Sequence, residues 1–250
     1  MAQQQTSLIV IPARFQSSRL PGKPLRQIWG ETMIKRVHER CSETGLDTVV
    51  ATDDERISES CNALGIEVIM TSSEHRSGTD RIEEVACLLE LPDEAIVVNV
   101  QGDEPLMPPE VINQVAEDIE NHADAQICTL YENFASEEDV TNPNSVKIVV
   151  DDAGYALYFS RAPIPFSGTG ELAVSQTAYK RHVGIYSYRV KVLHDFVSWP
   201  QGELESLERL EQLRALENNA SIHVQKACAI IPPGVDTEDD LELARAILSK

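Results

Sequence analysis

The chain has 250 residues, a formal net charge of −20 at pH 7, 42% hydrophobic residues and 25% charged residues. These values are ordinary for a globular protein with one sizeable α/β domain, or two small domains sharing a core. No apolar run approaches the ~20 residues of a membrane-spanning helix, and an acidic surface repels nucleic acid and anionic membranes. We therefore expect neither nucleic acid nor membrane as a partner.

The N-terminus and the cysteines both indicate a cytoplasmic protein. Residues 1–7 are polar and uncharged, without the basic start and apolar middle of a secretory signal. The five cysteines are far apart and form no Cys-x-x-Cys pair, which argues against a disulfide framework or a zinc site. We expect most of them to be small buried residues in a reducing compartment.

Apolar runs alternate with helical patterns through the first half of the chain. Strands are predicted at residues 8–11, 48–51, 66–70 and 95–100, and helices at 32–43, 55–64, 80–89 and 111–119. Strands that are apolar on both faces and separated by helices predict a mainly parallel sheet covered on both sides.

The pattern changes in the second half. It predicts a hairpin of strands 146–150 and 156–159, a loop at 163–177, a strand at 184–188, a leucine-striped helix at 204–216 and a last helix from the N-cap Thr237 to Leu248. The predicted fold class is α/β, with a mainly parallel, Rossmann-like sheet and a smaller α+β region.

A basic loop follows the first predicted strand directly. Residues 14–25 contain Arg14, Arg19 and Lys23, together with Ser17 and Ser18. Ligands of open α/β sheets bind beyond the carboxyl ends of the strands, and guanidinium and ammonium groups suit a polyphosphate. The loop therefore predicts phosphate binding, the alternative being a solvated basic loop. It lacks G-x-G-x-x-G, which excludes a dinucleotide oxidoreductase.

Polar residues follow the third strand. Ser77 and Gly78 would let a flat ligand approach the backbone. Asp80 either contacts that ligand or serves as a first-turn acid favoured by the helix dipole. His75 is more typical of an exposed loop residue than of a ligand-binding one.

Acidic residues follow the fourth strand and precede the last helix. Asp103 comes just after strand 95–100, and a carboxylate facing phosphate-binding groups is a natural Mg²⁺ ligand. The alternative is a charged turn. Asp236 alone is a capping-type residue, but next to Asp103 in space it would complete a metal site.

Together these motifs resemble the CMP-Kdo synthetase family, the cytidylyltransferases that activate 3-deoxy-manno-octulosonate (Kdo) for lipopolysaccharide assembly. The motifs span essentially the whole chain and include Ile-Pro-Ala-Arg at 11–14, Ser-Arg-Leu-Pro-Gly-Lys-Pro-Leu at 18–25, Val-Ala-Thr-Asp at 50–53, Ser-Gly-Thr-Asp-Arg at 77–81, Gln-Gly-Asp-Glu-Pro at 101–105, Ala-Leu-Tyr-Phe-Ser-Arg at 156–161, Arg-His-Val-Gly-Ile-Tyr at 181–186, Leu-Glu-Gln-Leu-Arg at 210–214 and Gly-Val-Asp-Thr at 234–237.

The resemblance implies a role for each matching residue. CTP would be held by Ala13, Arg14, Arg19, Lys23, Ser77, Gly78 and Asp80. The sugar would be held by Gln101, Arg161, His182, Tyr186, Glu211 and Gln212. Asp103 and Asp236 would bind Mg²⁺, and with Lys23 they would form the catalytic set.

The resemblance also implies the reaction and the organisation of the chain. The anomeric hydroxyl of the eight-carbon acidic sugar attacks the α-phosphorus of CTP, and pyrophosphate leaves. We expect a single domain over residues 1–250, with 1–130 mainly CTP-binding and 131–250 mainly for sugar binding and dimerisation. A homodimer is implied by the resemblance alone.

Two serines depart from the family pattern and leave the preferred sugar open. Ser206 stands where relatives have His, and Ser187 stands where Gly or Ala is expected. Both would lie near the sugar, so the chain could prefer the 8-amino-8-deoxy form of Kdo. The basic loop is also consistent with a nucleotidyltransferase for a different sugar or nucleotide, and with a non-catalytic nucleotide-binding regulator. Retention of Lys23 and Asp103 argues against the regulator.

Overall fold

The computed structural model describes residues 7–17, 19–168 and 178–248. The strands are β1 (Ser7–Ala13), β2 (Gln27–Ile28), β3 (Glu31–Thr32), β4 (Asp47–Thr52), β5 (Val68–Met70), β6 (Ile96–Asn99), β7 (Ile127–Asn133), β8 (Lys147–Val150), β9 (Ala156–Ser160), β10 (Lys180–Arg189) and β11 (Ile222–Lys226). The α-helices are α1 (Met33–Ser42), α2 (Glu55–Ala63), α3 (Gly78–Leu88), α4 (Pro109–Asn121), α5 (Glu137–Thr141), α6 (Val190–Ser198), α7 (Glu203–Glu208), α8 (Gln212–Glu217) and α9 (Glu238–Leu248). A 3₁₀ turn spans Lys23–Leu25.

One large sheet organises the described residues. Its strands run in the order β11-β7-β10-β6-β1-β4-β5, with β8 and β9 attached through β10. Strands β6, β1, β4 and β5 are mutually parallel, and β7 is parallel to β11, while β10 runs antiparallel between β6 and β7. The predicted α/β class with a mainly parallel sheet is confirmed.

The first strand shows why this sheet is covered on both faces. Ile9 and Ile11 pack into the core that includes residues of α1, α2 and α4. Leu8 and Val10 point to the opposite face and pack into the core that includes residues of α3, α6 and α8. Because strand side chains alternate between faces, a strand that is apolar at every position needs helices on both. Full burial stabilises each of these side chains by about 1.5–3 kcal/mol.

Several elements were not predicted from the sequence. Strands β7 and β11, the short α5 and the whole of α6 are present although no pattern indicated them. The hairpin is confirmed, since β8 and β9 pair antiparallel. The cap of the last helix is also confirmed, because the Thr237 hydroxyl accepts a hydrogen bond from the Asp240 amide at 3.3 Å.

The predicted helix 204–216 is wrong, because two short helices take its place. Helix α7 ends at Glu208, because the next residue, Arg209, has a left-handed φ of 53° that cannot continue a right-handed helix. Leu207 is 74% exposed, whereas Leu213 is fully buried, so the leucines do not form one buried stripe. Of the predicted loop 163–177, residues 169–177 lie outside the described residues, as does Ser18.

Within the described ranges, none of the helices combines the length and the apolar character that crossing a bilayer requires.

Candidate active site

Two adjoining cavities open where strands β1 and β6 end. The β1 cleft, of about 370 Å³, is lined by Pro12, Ala13, Arg14, Gln16, Ser17, Arg19, Lys23, Pro24, Gly78, Gln101, Gly102, Asp103 and Asp236. The tyrosine cavity, of about 240 Å³, is lined by Gly78, Thr79, Asn99, Gln101, Ile127, Tyr186, Tyr188, Phe196, Glu211 and Gln212. Gly78 and Gln101 line both, so ligands in the two cavities would meet at these residues.

A tight turn shapes the basic loop of the β1 cleft. The amide of Gly22 donates to the carbonyl of Phe15 at 3.2 Å, which closes the loop. Gly22 has a φ of +65°, and a Cβ there would lie 3.1 Å from the Phe15 ring, so glycine suits this position best. The guanidinium carbon of Arg56 lies 3.3 Å from the centroid of the same ring. The loop is thereby closed on itself and held against α2, with Arg14, Arg19 and Lys23 at the cleft.

Arg14 offers a hydrogen-bond donor to the cleft. Its Nη1 donates to the carbonyl of Arg76 at 3.2 Å, while its Nη2 is buried with no hydrogen-bond partner among the described residues. Burial, and then the neighbouring Arg81, lowers the pKa of Arg14. An unpaired buried donor is costly, and an anionic ligand in the cleft would satisfy it.

Asp103 and Asp236 come together around one cation. The Lys23 Nζ lies 2.6 Å from Asp103 Oδ2 and 2.9 Å from Asp236 Oδ1. Arg19 Nη2 lies 2.9 Å from the other oxygen of Asp236. Burial alone would lower the pKa of Lys23, but Asp103 and Asp236 outweigh it and the pKa is raised. Two carboxylates that converge on one cation form the oxygen donor set that Mg²⁺ prefers, so these residues fit that ion.

The loops that carry the two acids are packed with little space to spare. The Val235 amide donates to the Asp103 carbonyl at 2.8 Å and ties the loops together. A Cβ on Gly102 would lie 2.8 Å from the Pro12 carbonyl oxygen, closer than real Cβ contacts allow. Glycine therefore lets the segment after β6 lie against the end of β1.

Glu104 is a part of the site that sequence reasoning missed. Burial, and then the neighbouring Asp103, raises its pKa to about 8. A Cβ on Gly234 would lie 2.8 Å from Glu104 Oε1, so this carboxyl lies between the two acidic loops. Its place in the Gln-Gly-Asp-Glu-Pro motif was the signal that could have found it.

The tyrosine cavity combines aromatic rings with hydrogen-bonding groups. Tyr186 and Tyr188 lie two residues apart on one face of β10, with ring centroids 5.7 Å apart. Glu211 Oε2 accepts from the Thr79 hydroxyl at 2.7 Å, and its Oε1 is buried without a partner among the described residues. Burial raises the pKa of Glu211. Gln101 donates to the Asn99 side-chain oxygen at 3.3 Å. These groups suit a ligand rich in hydroxyl groups.

Ser77 and Asp80 cap helix α3. The Ser77 hydroxyl accepts from the Asp80 amide, and the Asp80 carboxylate accepts from the Ser77 amide at 3.0 Å. These two hydrogen bonds agree with the interpretation of Asp80 as an acidic residue in the first turn of a helix. Both residues also line a groove of about 680 Å³ that reaches Glu211, so they remain at the edge of the site.

Arg161 and His182 do not line these cavities. The Arg161 guanidinium donates to the carbonyls of Pro143, Glu208 and Arg209, and so holds the break between α7 and α8. The His182 ring lies behind Tyr186, with centroids 5.4 Å apart. Burial, and then Arg181, lowers the pKa of His182 to about 3.

The expectation that both atypical serines lie near the sugar is wrong for Ser187. Its hydroxyl is fully buried and donates to the Val115 carbonyl of α4 at 2.7 Å. Neighbouring strand residues point to opposite faces, so Tyr186 in the cavity forces Ser187 away from it. Ser206 does line the groove of about 680 Å³, where its hydroxyl donates to the Gly202 carbonyl at 2.8 Å.

A mainly parallel α/β sheet with a basic loop after its first strand, facing two convergent carboxylates, defines an enzyme of the nucleotidyltransferase class. The model of the cytidylyltransferase family matches residues 8–222. The chain is 51% identical to 3-deoxy-manno-octulosonate cytidylyltransferase of Alcanivorax borkumensis, covering 96% of this chain and 97% of the relative. Identity to the enzyme of that name from Cellvibrio japonicus is 53%, with the same coverage. The chain belongs to the 3-deoxy-manno-octulosonate cytidylyltransferase family.

A solved structure agrees with this assignment across the whole chain. It is a CMP:2-keto-3-deoxy-manno-octonic acid synthetase complexed with CTP, and it matches with a TM-score of 0.90 at 40% identity. The match covers 98% of both chains.

Proposed function

We propose that this enzyme joins CTP and Kdo to give CMP-Kdo and pyrophosphate, in a Mg²⁺-dependent reaction that serves lipopolysaccharide biosynthesis in the cytoplasm. The observation that carries the proposal is the convergence of Lys23, Asp103 and Asp236 in the β1 cleft, next to the tyrosine cavity. The names of the similar enzymes, and the CTP in the similar solved structure, support the choice of substrates.

The two cavities divide the substrates between them. CTP would occupy the β1 cleft, with its phosphates against Arg14, Arg19 and Lys23. Kdo would occupy the tyrosine cavity, where Tyr186 and Glu211 offer hydrogen bonds. Because the cavities adjoin, the anomeric hydroxyl of the sugar would meet the α-phosphorus of CTP at their junction.

The reaction requires positioning and charge neutralisation rather than a covalent nucleophile. A bond forms between the sugar oxygen and the α-phosphorus, the bond from that phosphorus to the pyrophosphate oxygen breaks, and the proton of the attacking hydroxyl is released to water. Arg14, Arg19 and Lys23 would orient the triphosphate and stabilise its negative charge. Asp103 and Asp236 would hold Mg²⁺, which when bound neutralises phosphate oxygens and lowers the pKa of the attacking hydroxyl.

We also propose that the enzyme is a homodimer formed through its second half. Leu157, Phe166 and Leu207 are large apolar side chains that are 60%, 89% and 74% exposed, and a contiguous apolar patch formed by such side chains would mark a subunit interface. Light scattering should give the mass of a dimer for the wild type. Leu207→Glu should then shift the mass towards a monomer, whereas a wild-type monomer would contradict the proposal.

A substrate panel tests the activity directly. Pyrophosphate release is measured with CTP, UTP or ATP, each paired with Kdo, 8-amino-8-deoxy-Kdo or sialic acid, with and without Mg²⁺. We expect the highest kcat/KM for CTP with Kdo and Mg²⁺. Of the two atypical serines, only Ser206 still supports a preference for the 8-amino sugar. If kcat/KM is higher with that sugar than with Kdo, the 8-amino sugar is the substrate and Kdo is not. Absence of pyrophosphate with every pair would support a non-catalytic regulator.

A further inference from the structure

A second cluster of metal-ligand side chains lies outside both cavities, where α3 packs against α6. Glu83 and Cys87 lie one turn apart on α3, and His194 faces them from α6. The Glu83 Oε1 lies 2.9 Å from His194 Nδ1 and 3.1 Å from Cys87 Sγ. The Cys87 Sγ and His194 Nδ1 are 3.9 Å apart.

We propose that Glu83, Cys87 and His194 bind a divalent transition-metal ion of the zinc class. Zinc bonds of about 2.3 Å to sulfur and about 2.0–2.2 Å to nitrogen or oxygen place neighbouring tetrahedral ligands roughly 3.3–3.6 Å apart. The three observed separations of 2.9, 3.1 and 3.9 Å lie close to this range on either side. Small side-chain rotations would equalise them, and the fourth coordination position would face solvent.

The donor atoms determine which ion fits. A thiolate and an imidazole favour Zn²⁺ or Co²⁺ over Mg²⁺, which prefers oxygen ligands. The cluster therefore differs in metal class from Asp103 and Asp236, which offer only oxygen atoms. An ion at Cys87 and an ion in the β1 cleft can consequently be distinguished by their chemistry.

Binding would replace hydrogen bonds with metal bonds. Without an ion, Glu83 Oε1 accepts a hydrogen bond from the Cys87 thiol, so the thiol carries a proton in this arrangement. An ion would bind the thiolate, so one proton would be released to solvent for each ion bound.

Solvent reaches the cluster. Cys87 is exposed and both partners are partly exposed. Sequence spacing does not reveal the cluster, because His194 lies 107 residues beyond Cys87 in the chain. Helix packing brings them together, although the absence of Cys-x-x-Cys argued against a zinc site.

The position of the cluster links it to the substrate cavities. Helix α3 begins at Gly78, which lines both cavities, and α6 supplies Phe196 to the tyrosine cavity. An ion bound by both helices would fix one against the other. Binding to the folded state alone raises thermal stability by mass action, so the melting temperature should rise with Zn²⁺.

Cobalt titration tests the site, since a thiolate bound to Co²⁺ gives an intense near-ultraviolet charge-transfer band. We expect the wild type to develop this band to saturation at one ion per chain and to release one proton. Cys87→Ser and His194→Asn should lose the band, and Glu83→Gln should weaken the affinity at least tenfold. Cys228→Ser is the matched control, because Cys228 is the other exposed cysteine, and it should retain the band.

A second measurement separates this site from the active site. Zn²⁺ should raise the melting temperature of the wild type and of Cys228→Ser, but not that of Cys87→Ser. Pyrophosphate release with Mg²⁺ should be unchanged in Cys87→Ser, which also shows that the variant is folded. A wild type without the cobalt band, or a band of equal strength in folded Cys87→Ser, would overturn the proposal.

Discussion

The ammonium of Lys23 lies 2.6 Å from Asp103 Oδ2 and 2.9 Å from Asp236 Oδ1. It thereby occupies the space between the two carboxylates that we propose as the Mg²⁺ ligands. The lysine and the ion cannot share that position. Binding of Mg²⁺ with CTP would free the ammonium to pair with the phosphates, so this contact would couple the proposed metal and nucleotide steps.

Replacement of Lys23 with Met should affect the ion and the nucleotide in opposite directions. Mn²⁺, used as a paramagnetic substitute for Mg²⁺, should bind the nucleotide-free variant more tightly, because the competing ammonium is gone. The KM for CTP should rise or kcat should fall, because the triphosphate loses a cation. Electron paramagnetic resonance of Mn²⁺ and steady-state kinetics measure the two effects. Lys191→Met, at an exposed position, is the control, and weaker Mn²⁺ binding in Lys23→Met would contradict the competition.

Replacement of Asp103 with Asn should remove activity and leave the fold intact. The Asp103 side chain is 30% exposed, so the loss of its charge leaves few buried groups without a partner. We expect kcat to fall by at least about 100-fold, the order seen when one preorganised electrostatic group is removed. Pyrophosphate release and thermal melting monitored by circular dichroism are the measurements. Asp152→Asn, in the exposed hairpin turn, should behave like the wild type. Near-normal activity in Asp103→Asn would remove this residue from the metal site.

Replacement of Gly102 with Ala tests the close packing of the two strand ends. The new Cβ would lie 2.8 Å from the Pro12 carbonyl oxygen, so the segment that carries Asp103 must shift. Overpacking of this kind costs about 1–3 kcal/mol, and the shift should also reduce kcat. Gly184→Ala is the matched control, because a Cβ there meets nothing within 4 Å. Equal melting temperatures and equal kcat for the two variants would show that the contact is unimportant.

The elements that could be predicted are those in which buried apolar residues recur at a regular spacing along the chain. Strand β1 is buried on both faces, and its apolar run made it unambiguous. Strand β7 is also buried at four successive positions, but Thr129 interrupts its apolar pattern. Thr129 is nevertheless fully buried, because its hydroxyl lies within hydrogen-bond distance of the carbonyl oxygens of Val183 and Ile185 and can donate its one proton to either. The residues next to Thr129 in the sequence do not reveal these hydrogen-bond partners.

The residues of the candidate site also fall into those that the sequence predicts and those that it does not. Arg14, Lys23 and Asp103 follow predicted strands, so the rule that ligands bind at strand ends located them. Their convergence with Asp236 depends on the return of the chain before α9, more than a hundred residues later, and no spacing rule predicts it. The position of Ser187, in contrast, could have been predicted. Because its neighbour Tyr186 was assigned to the sugar site, strand alternation places the Ser187 side chain on the opposite face of the sheet. Tyr188 could have been found by the same alternation.

His182 provides a test at acidic pH. Burial lowers its pKa from 6.5 to about 3 in the folded state, and its Nε2 lies 3.1 Å from the Thr129 hydroxyl. Between these two pH values the unfolded chain binds a proton that the folded protein excludes. The stability contributed by neutral His182 is therefore complete above about pH 6.5 and is lost as the pH falls towards 3.

Replacement of His182 with Gln removes this titration and retains a polar group in reach of Thr129. The free energy of unfolding, measured by urea denaturation from pH 7.5 to pH 4, should fall more steeply for the wild type than for the variant. The difference in slope should reach up to about 1.4 kcal/mol per pH unit, the value for one proton. Above pH 7 the two curves should run parallel, which provides the internal control. Parallel curves down to pH 4 would mean that His182 titrates normally in the folded protein, and that its ring is open to water instead of enclosed behind Tyr186.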